Sequence, residues 1–226
     1  MIALVPARRG SKRMPGKNRS LINGISITEA AIKQALEAKI FKKIILSTDD
    51  EKLLNLEIDY DIEVHNRPHS LSGDNATLLD SIRQIILEKK LENFGVCLLL
   101  PTAPLREVKD INKAYKIFAE NNYNSSVISV SKYTSPIEIS WKVEQSKLVP
   151  IFPDLYRANI PKHKRSESYF FNDAIIFEKA EKFLEKDRNL FGNQAIPFIM
   201  PVEKSFFIDY ECDFNIVDLL KKKIHE

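Results

Sequence analysis

Cysteine is scarce in this chain: Cys97 and Cys212 are the only two in 226 residues. They show no C-x-x-C spacing, which argues against a zinc ribbon and against a disulfide framework. Cys97 lies inside the apolar run Val96–Leu100 and reads as a buried thiol. Glycine is also rare, at six residues, so flexible low-complexity linkers are not expected. The four histidines (His65, His69, His163, His225) have no H-x-H or H-E-x-x-H spacing, and no G-x-S-x-G segment occurs. Zinc chemistry and a nucleophile-elbow hydrolase are set aside on that ground. No apolar run approaches the roughly 20 residues of a membrane span. A strong excess of one charge is missing too: 34 basic against 31 acidic residues leave +3, without the basic-aromatic interleaving of a nucleic-acid module.

What is present is ordinary globular material, 44% hydrophobic and 29% charged, enough for one α/β domain. The opening apolar run Met1–Pro6 precedes a basic cluster, the reverse of the order in a secretory leader. With the cysteine usage, this makes a reducing cytoplasm the expected compartment.

Short apolar runs alternate with amphipathic stretches, the rhythm of βαβ units and a largely parallel sheet. Strands are expected at Met1–Pro6, Lys43–Leu46, Ile62–Val64, Val96–Leu100, Ser126–Val130, Ala174–Phe177, Ile199–Met200 and Phe206–Ile208. Helices are expected from the Ser26-Ile27-Thr28-Glu29 capping box to about Lys39, over Leu78–Leu91 and Val108–Glu120, and over Asp213–Lys223. Between 132 and 170 the helical period fails. Four prolines, the only tryptophan (Trp141) and the cluster Lys162–Arg165 suggest an excursion from the sheet as a β-arm.

Five stretches could carry chemistry. The first, Ala7–Asn18, comes after the first strand with five basic residues and two glycines in twelve. Strand-to-helix loops of this kind bind phosphates through backbone N–H groups and cations. It is not a P-loop, because Gly10 and Gly16 stand one residue too far apart and Asn18 replaces the hydroxyl residue. Arg8, Lys12, Arg13 and Lys17 could still neutralise a triphosphate; a solvated basic loop is the alternative. Ser47-Thr48-Asp49-Asp50 reads first as a helix cap. Arg67–Thr77 is a polar loop with one cation, and Thr77 or Asp74 could cap the helix expected from Leu78. Leu100–Arg106 is a proline-stiffened rim. Ile208–Asp213 offers carboxylates for a hard cation or for a helix cap.

Taken in order, these stretches resemble the acylneuraminate cytidylyltransferase family. The resemblance rests on A-R-x-G-S-K-x-x-P-x-K-N (Ala7–Asn18), S-T-D (Ser47–Asp49), R-P-x-x-L-x-x-D (Arg67–Asp74), P-T-[SA]-P-L-R (Pro101–Arg106) and I-D-x-x-x-D (Ile208–Asp213), and covers nearly the whole chain. It implies a Rossmann-like nucleotide-diphospho-sugar transferase fold, a single domain over 1–226, with 132–170 as a dimerisation arm. It implies condensation of CTP with an acidic nine-carbon sugar to give a CMP-sugar and pyrophosphate, with Mg²⁺, or Mn²⁺ in its place, and a homodimer acting without nucleic acid or membrane. Carried over by motif, Arg8, Gly10, Ser11, Lys17, Asn18, Arg67, Ala76 and Thr77 fall on the CTP side. Arg106, Arg165, Asn172 and Asp173 fall on the sugar side. Asp209 is the metal residue, and Arg8, Lys17, Arg165 and Asp209 are the catalytic set.

The chain departs from the pattern at Leu100 (usually Gln), at Phe170 and Phe171 (where an arginine often stands), at Asp173 (usually Gly) and at Phe207 (usually Asp). The nucleotide half is kept and the sugar half altered. Activation of a KDO-type acid sugar and a catalytically weak nucleotide-binding relative are the alternatives.

Overall fold

The computed structural model describes residues 1–56, 60–73, 76–157, 160–161, 164–192 and 194–224, with the side chains of His69, Lys223 and Ile224 excepted. Asp74, Lys162, His163 and His225 lie outside the described residues.

The first strand, β1 (Ile2–Pro6), is buried along almost its whole length. A run apolar on both faces must be covered on both faces, so it belongs in mid-sheet. It pairs in parallel with β4 (Lys43–Thr48) on one side and β6 (Gly95–Leu98) on the other. Beyond these, β5 (Glu63–Asn66) joins β4, and β10 (Tyr169–Lys179) joins β6. With β7 (Val127–Lys132) and β11 (Ile196–Ile199) the sheet has seven strands, ordered β11-β7-β10-β6-β1-β4-β5. Only β10 runs antiparallel to its neighbours. Two short hairpin ladders lie outside the main sheet: β2 (Leu21–Ile22) with β3 (Ile25–Ser26), and β8 (Trp141–Glu144) with β9 (Lys147–Pro150).

Alternation along β1 divides the core. Ala3 and Val5 face a layer with α1 (Ile27–Ala38) and α4 (Val108–Glu120), through Ala31, Ile32, Ile111 and Phe118. Ile2 and Leu4 face Ile82, Ile85 and Ile86 of α3 (Leu78–Glu88) and Phe183 of the short α6 (Ala180–Phe183). The sheet is thus sandwiched between helices, as the βαβ rhythm requires. Among the described residues, the remaining α-helices are α2 (Glu51–Leu54), α5 (Pro153–Arg157) and α7 (Glu211–Ile224).

Several expectations change in detail. The capping box at α1 is half made: Ser26 accepts from the Glu29 N–H at 3.0 Å, but the Glu29 carboxylate takes the Tyr60 hydroxyl at 2.5 Å. Phe206–Ile208 is not a strand. Ile208 is buried with Ile22, Ile27, Leu105 and Val217, and its N–H reaches the Thr102 carbonyl at 2.8 Å. The strand expected from Ala174 begins five residues earlier, at Tyr169, because β7 supplies partners for Tyr169, Phe170 and Phe171. Asp213 caps the last helix, accepting from the N–H groups of Asp209 and Tyr210.

Within 132–170 the chain leaves the main sheet after Lys132 and rejoins it at Tyr169, so the excursion is shorter than expected at both ends. Its β8-β9 ladder turns at Gln145 and Ser146, both at positive φ, as a tight twisted hairpin needs. Trp141 packs edge-on against Tyr156 of α5, with ring centroids 4.8 Å apart. Val143 and Leu148, direct cross-strand partners, are 73% and 66% exposed.

Candidate active site

Four neighbouring parallel strands, β6, β1, β4 and β5, end on the same edge of the sheet, and the polar stretches continue from them. Ligands in open α/β sheets bind outside such carboxyl ends. A cleft of about 520 Å³ opens there, lined by Pro6, Arg8, Gly10, Ser11, Lys12, Arg13, Lys17, Asn18, Arg67, Ala76, Thr77, Leu78, Leu100, Pro101, Thr102 and Asp173. Five of these side chains are cationic and one is acidic. A second cavity, about 400 Å³ around Met1, Phe94 and Gly95, lies at the opposite edge and has one cation, Lys179, against Glu92 and Glu181.

The opening loop is tied down by the stretches around it. The Asn18 carboxamide donates to the Arg8 carbonyl at 2.8 Å, and the Thr28 hydroxyl donates to the Asn18 carbonyl at 2.8 Å. The Arg9 N–H donates to Asp49 at 2.7 Å, and the Thr48 hydroxyl to the Ala7 carbonyl at 2.6 Å. Gly16, at φ +72, makes the left-handed turn into the single 3₁₀ turn Lys17–Arg19. Ser47–Asp50 therefore acts as scaffold. Asp50 caps α2 as expected, and also pairs with Arg19 at 3.1 Å.

The cations differ in their surroundings. Lys17, 12% exposed, donates to Asp209 at 3.0 Å and to the Ile208 carbonyl at 2.9 Å. Arg13 pairs with the other Asp209 oxygen at 3.0 Å and stacks over Tyr210 at 5.3 Å. Arg8 reaches across to the Gly73 carbonyl at 3.4 Å. Arg67 is buried, and burial lowers its pKa, opposed by the Asp49 charge. On the far wall, Thr77 caps α3 in a reciprocal box with Asp80, so the amino end of an eleven-residue helix meets the cleft. That end favours anions.

Asp173 stands opposite the cations. Between Phe171 and Ile176 the register of β10 against β7 shifts, and at this bulge Asp173 adopts φ +59. Bulges re-aim side chains in this way. Burial first, then the charge of Asp209, pushes the Asp173 carboxyl up to about 6, against the pull of Lys17, Thr102 and Arg13. The Thr102 hydroxyl lies 3.4 Å from Asp173 Oδ2.

All the CTP-side residues read from the sequence line this cleft, and Asp209 touches it through Lys17 and Arg13. Three sugar-side residues do not. Arg106 is 1% exposed, and its guanidinium donates to Gln34, to the Leu100 carbonyl at 3.2 Å and to the Ala174 carbonyl at 2.5 Å. Burial lowers its pKa to about 10. It is a tie between β6, β10 and α1 rather than a cleft residue. Asn172 is fully buried, donating to Ser205 at 3.0 Å. Arg165 lines a separate cavity of about 220 Å³ with Lys132, Tyr133 and Glu167 at the base of the arm. Sequence reasoning missed Thr102 and the pairing of Arg13 with Asp209. The alternating charges of Arg13, Lys17 and Asp209 were visible, but not that the chain's last quarter returns to its first turn.

The profile described as Cytidylyltransferase matches residues 2–216. The chain belongs to the cytidylyltransferase family. It is therefore a nucleotidyltransferase, and the motifs that resembled the acylneuraminate branch are those that build the cleft. Among curated relatives, it is 30% identical to post-translational flagellin modification protein B of Campylobacter coli, over 99% of this chain and 95% of that one. It is 28% identical to pseudaminic acid cytidylyltransferase of Campylobacter jejuni, over 100% and 97%. Among solved structures, CMP:2-keto-3-deoxy-manno-octonic acid synthetase complexed with CTP superposes with a TM-score of 0.70, at 13% identity, over 99% and 98% of the two chains. At that identity the likeness concerns the fold.

Proposed function

We propose that this cytidylyltransferase condenses CTP with a nine-carbon acidic sugar of the sialic, pseudaminic or legionaminic type, giving a CMP-sugar and pyrophosphate. The observation that carries the reading is the convergence of Arg8, Lys12, Arg13, Lys17 and Arg67 on one cleft at the carboxyl edge. The names of the relatives support the sugar class.

In this reaction the sugar's anomeric hydroxyl attacks the α-phosphorus, a P–O bond forms, the bond to pyrophosphate breaks, and the hydroxyl proton is released to solvent. Negative charge accumulates on the phosphate oxygens and the leaving group. Preformed cations on the cleft wall stabilise that charge. Arg8 and Lys17 take the triphosphate, with Ser11 and the Gly10 backbone beside them. Asn18 acts by shaping the loop, and Arg67, Ala76 and Thr77 bound the nucleoside. Arg165 lies outside the cleft in the single chain and is given no part in the step.

The donor set suits a hard divalent cation. Asp209 and Asp173 are carboxylates near enough for one to raise the other's pKa, which is the repulsion a cation relieves. Asp209 is the principal ligand in this proposal. Mg²⁺ bound there would neutralise charge on the phosphate oxygens, with those oxygens and water completing its shell. Lys17 and Arg13, paired with Asp209 in the free protein, then become available to the triphosphate.

A second copy of the chain is the proposed cover for Trp141, Val143 and Leu148 on the arm, making a homodimer. The deciding experiment is pyrophosphate release from CTP and Mg²⁺ with N-acetylneuraminate, pseudaminate, legionaminate and KDO. Turnover with a nine-carbon acid is the expected result. Turnover with KDO alone would replace the sugar class, and CTP binding without turnover on any of the four would overturn the enzymatic reading.

A further inference from the structure

Behind the cleft wall, β4 and β5 are in parallel register with Ser47 beside His65, which puts both side chains on one face. Ser47 Oγ lies 3.0 Å from His65 Nδ1, and His65 Nε2 lies 3.3 Å from Glu88 Oε2. The order serine, histidine, carboxylate resembles a hydrolytic triad, but the surroundings exclude one. Ser47 is 1% exposed, and its oxygen already accepts from Arg67 Nε at 3.3 Å. Arg67 Nη2 donates to the Ser47 carbonyl at 3.4 Å. The seryl residue is thus held from both its oxygens by the one arginine that lines the cleft from β5's end.

Proton counting sets the direction of the chain. Arg67 only donates, so Ser47 Oγ accepts from it. The Glu88 carboxylate only accepts, so the proton of a neutral His65 ring is on Nε2, Nδ1 is bare, and the Ser47 hydroxyl proton goes to it. The ring proton sits on Nε2 and points to Glu88, at the last turn of α3. We propose that His65 is a positioning residue: with Ser47 and Glu88 it fixes the Arg67 guanidinium in the cleft for the nucleotide. This rests on the proposal that the cleft takes CTP.

The relay works only with neutral His65. Burial lowers the His65 pKa below its ordinary 6.5, with Lys89 and Arg67 acting the same way and Glu88 opposing. A second ring proton would occupy Nδ1. Ser47 would then have to accept from both neighbours, its own proton would lose its acceptor, and a cation would face Arg67. Nucleotide affinity should therefore weaken only on the acid side of the ordinary imidazole value.

The test uses the full chain and calorimetric CTP binding between about pH 5.5 and 8, with turnover measured alongside. His65→Leu removes the acceptor, and His65→Asn replaces Nδ1 with a carboxamide oxygen. Leu should raise the Kd for CTP by up to about tenfold, the upper weight of one lost neutral hydrogen bond, and leave kcat within about twofold. Asn should recover most of the affinity. The ratio of wild-type to His65→Asn Kd cancels protonation of the nucleotide and of Asp173, and should rise as pH falls. A folded His65→Leu chain that binds CTP like wild type, or a ratio flat with pH, overturns the relay. Wild type that binds no CTP overturns the functional reading instead. In that event ¹⁵N spectra of the wild-type chain decide the relay alone: a neutral His65 with its proton on Nε2 supports it, and a proton on Nδ1 refutes it.

Discussion

Asp173→Asn should stabilise this protein and damage its activity at the same time. The carboxyl is held in a half-buried bulge near Asp209, and its pKa rises from 3.8 to about 6, desolvation first. At about 1.4 kcal/mol for each tenfold change in proton affinity, that rise amounts to about 3 kcal/mol. The sign comes from linkage. Between pH 3.8 and about 6 the folded chain binds the proton more tightly than the unfolded chain, so stability contributed by this group falls as pH rises through that window. Above it the full penalty applies. Asparagine removes the charge, keeps an oxygen for the Thr102 hydroxyl, and tolerates φ +59 as aspartate does. In a chain of 226 residues, each kcal/mol moves Tm by about 2–4 °C, so the variant should melt about 6–12 °C higher at pH 8. The gap should close towards about pH 4. Thermal melts of both chains across that range, with pyrophosphate release at pH 8, are the assay. Equal melting at pH 8, or a gap independent of pH, would refute the reasoning. A stabler but slower variant would mark Asp173 as a site where function holds a charge that folding disfavours.

Three further outcomes are expected. Arg8→Ala should lower kcat by about 10²–10³, the usual loss for one preformed electrostatic donor, in a pyrophosphate-release assay. Arg106→Gln should destabilise by about 3–5 kcal/mol, because carbonyls of Leu100 and Ala174 lose a buried donor, while the sugar KM of the folded fraction stays unchanged; denaturant melts and steady-state kinetics separate the two. Val143→Asp with Leu148→Asp should leave the melting of the isolated chain unaltered but convert a dimer to a monomer in sedimentation velocity, since both side chains are mostly exposed in the single chain.

Legibility in the sequence tracked the range of the interaction. The helix over Val108–Glu120 was read to the residue, because period and caps are local. The basic loop was legible as a candidate site, because its charge and glycines sit within twelve residues, and the structure places it on the wall of the cleft. Ile208 defeated the strand pattern, since it is buried as a single plug under Leu105 and Val217 rather than in a ladder. Arg106 looked like a rim cation because nothing nearby announces Gln34 and Ala174 as its partners, 72 and 68 residues away. Asp173 read as a departure from a glycine pattern, and its meaning emerges only where the bulge turns it towards a charge on the last segment of the chain.

The tethers on the opening loop have a thermodynamic side. Asn18, Thr28, Thr48 and Asp49 hold its backbone at four points before any nucleotide arrives. Conformational entropy of that loop is thus surrendered during folding, when the core supplies the compensation, and not again at association. A ligand entering the cleft would meet backbone that is already shaped at these four points, so ordering this loop would take little from its binding free energy.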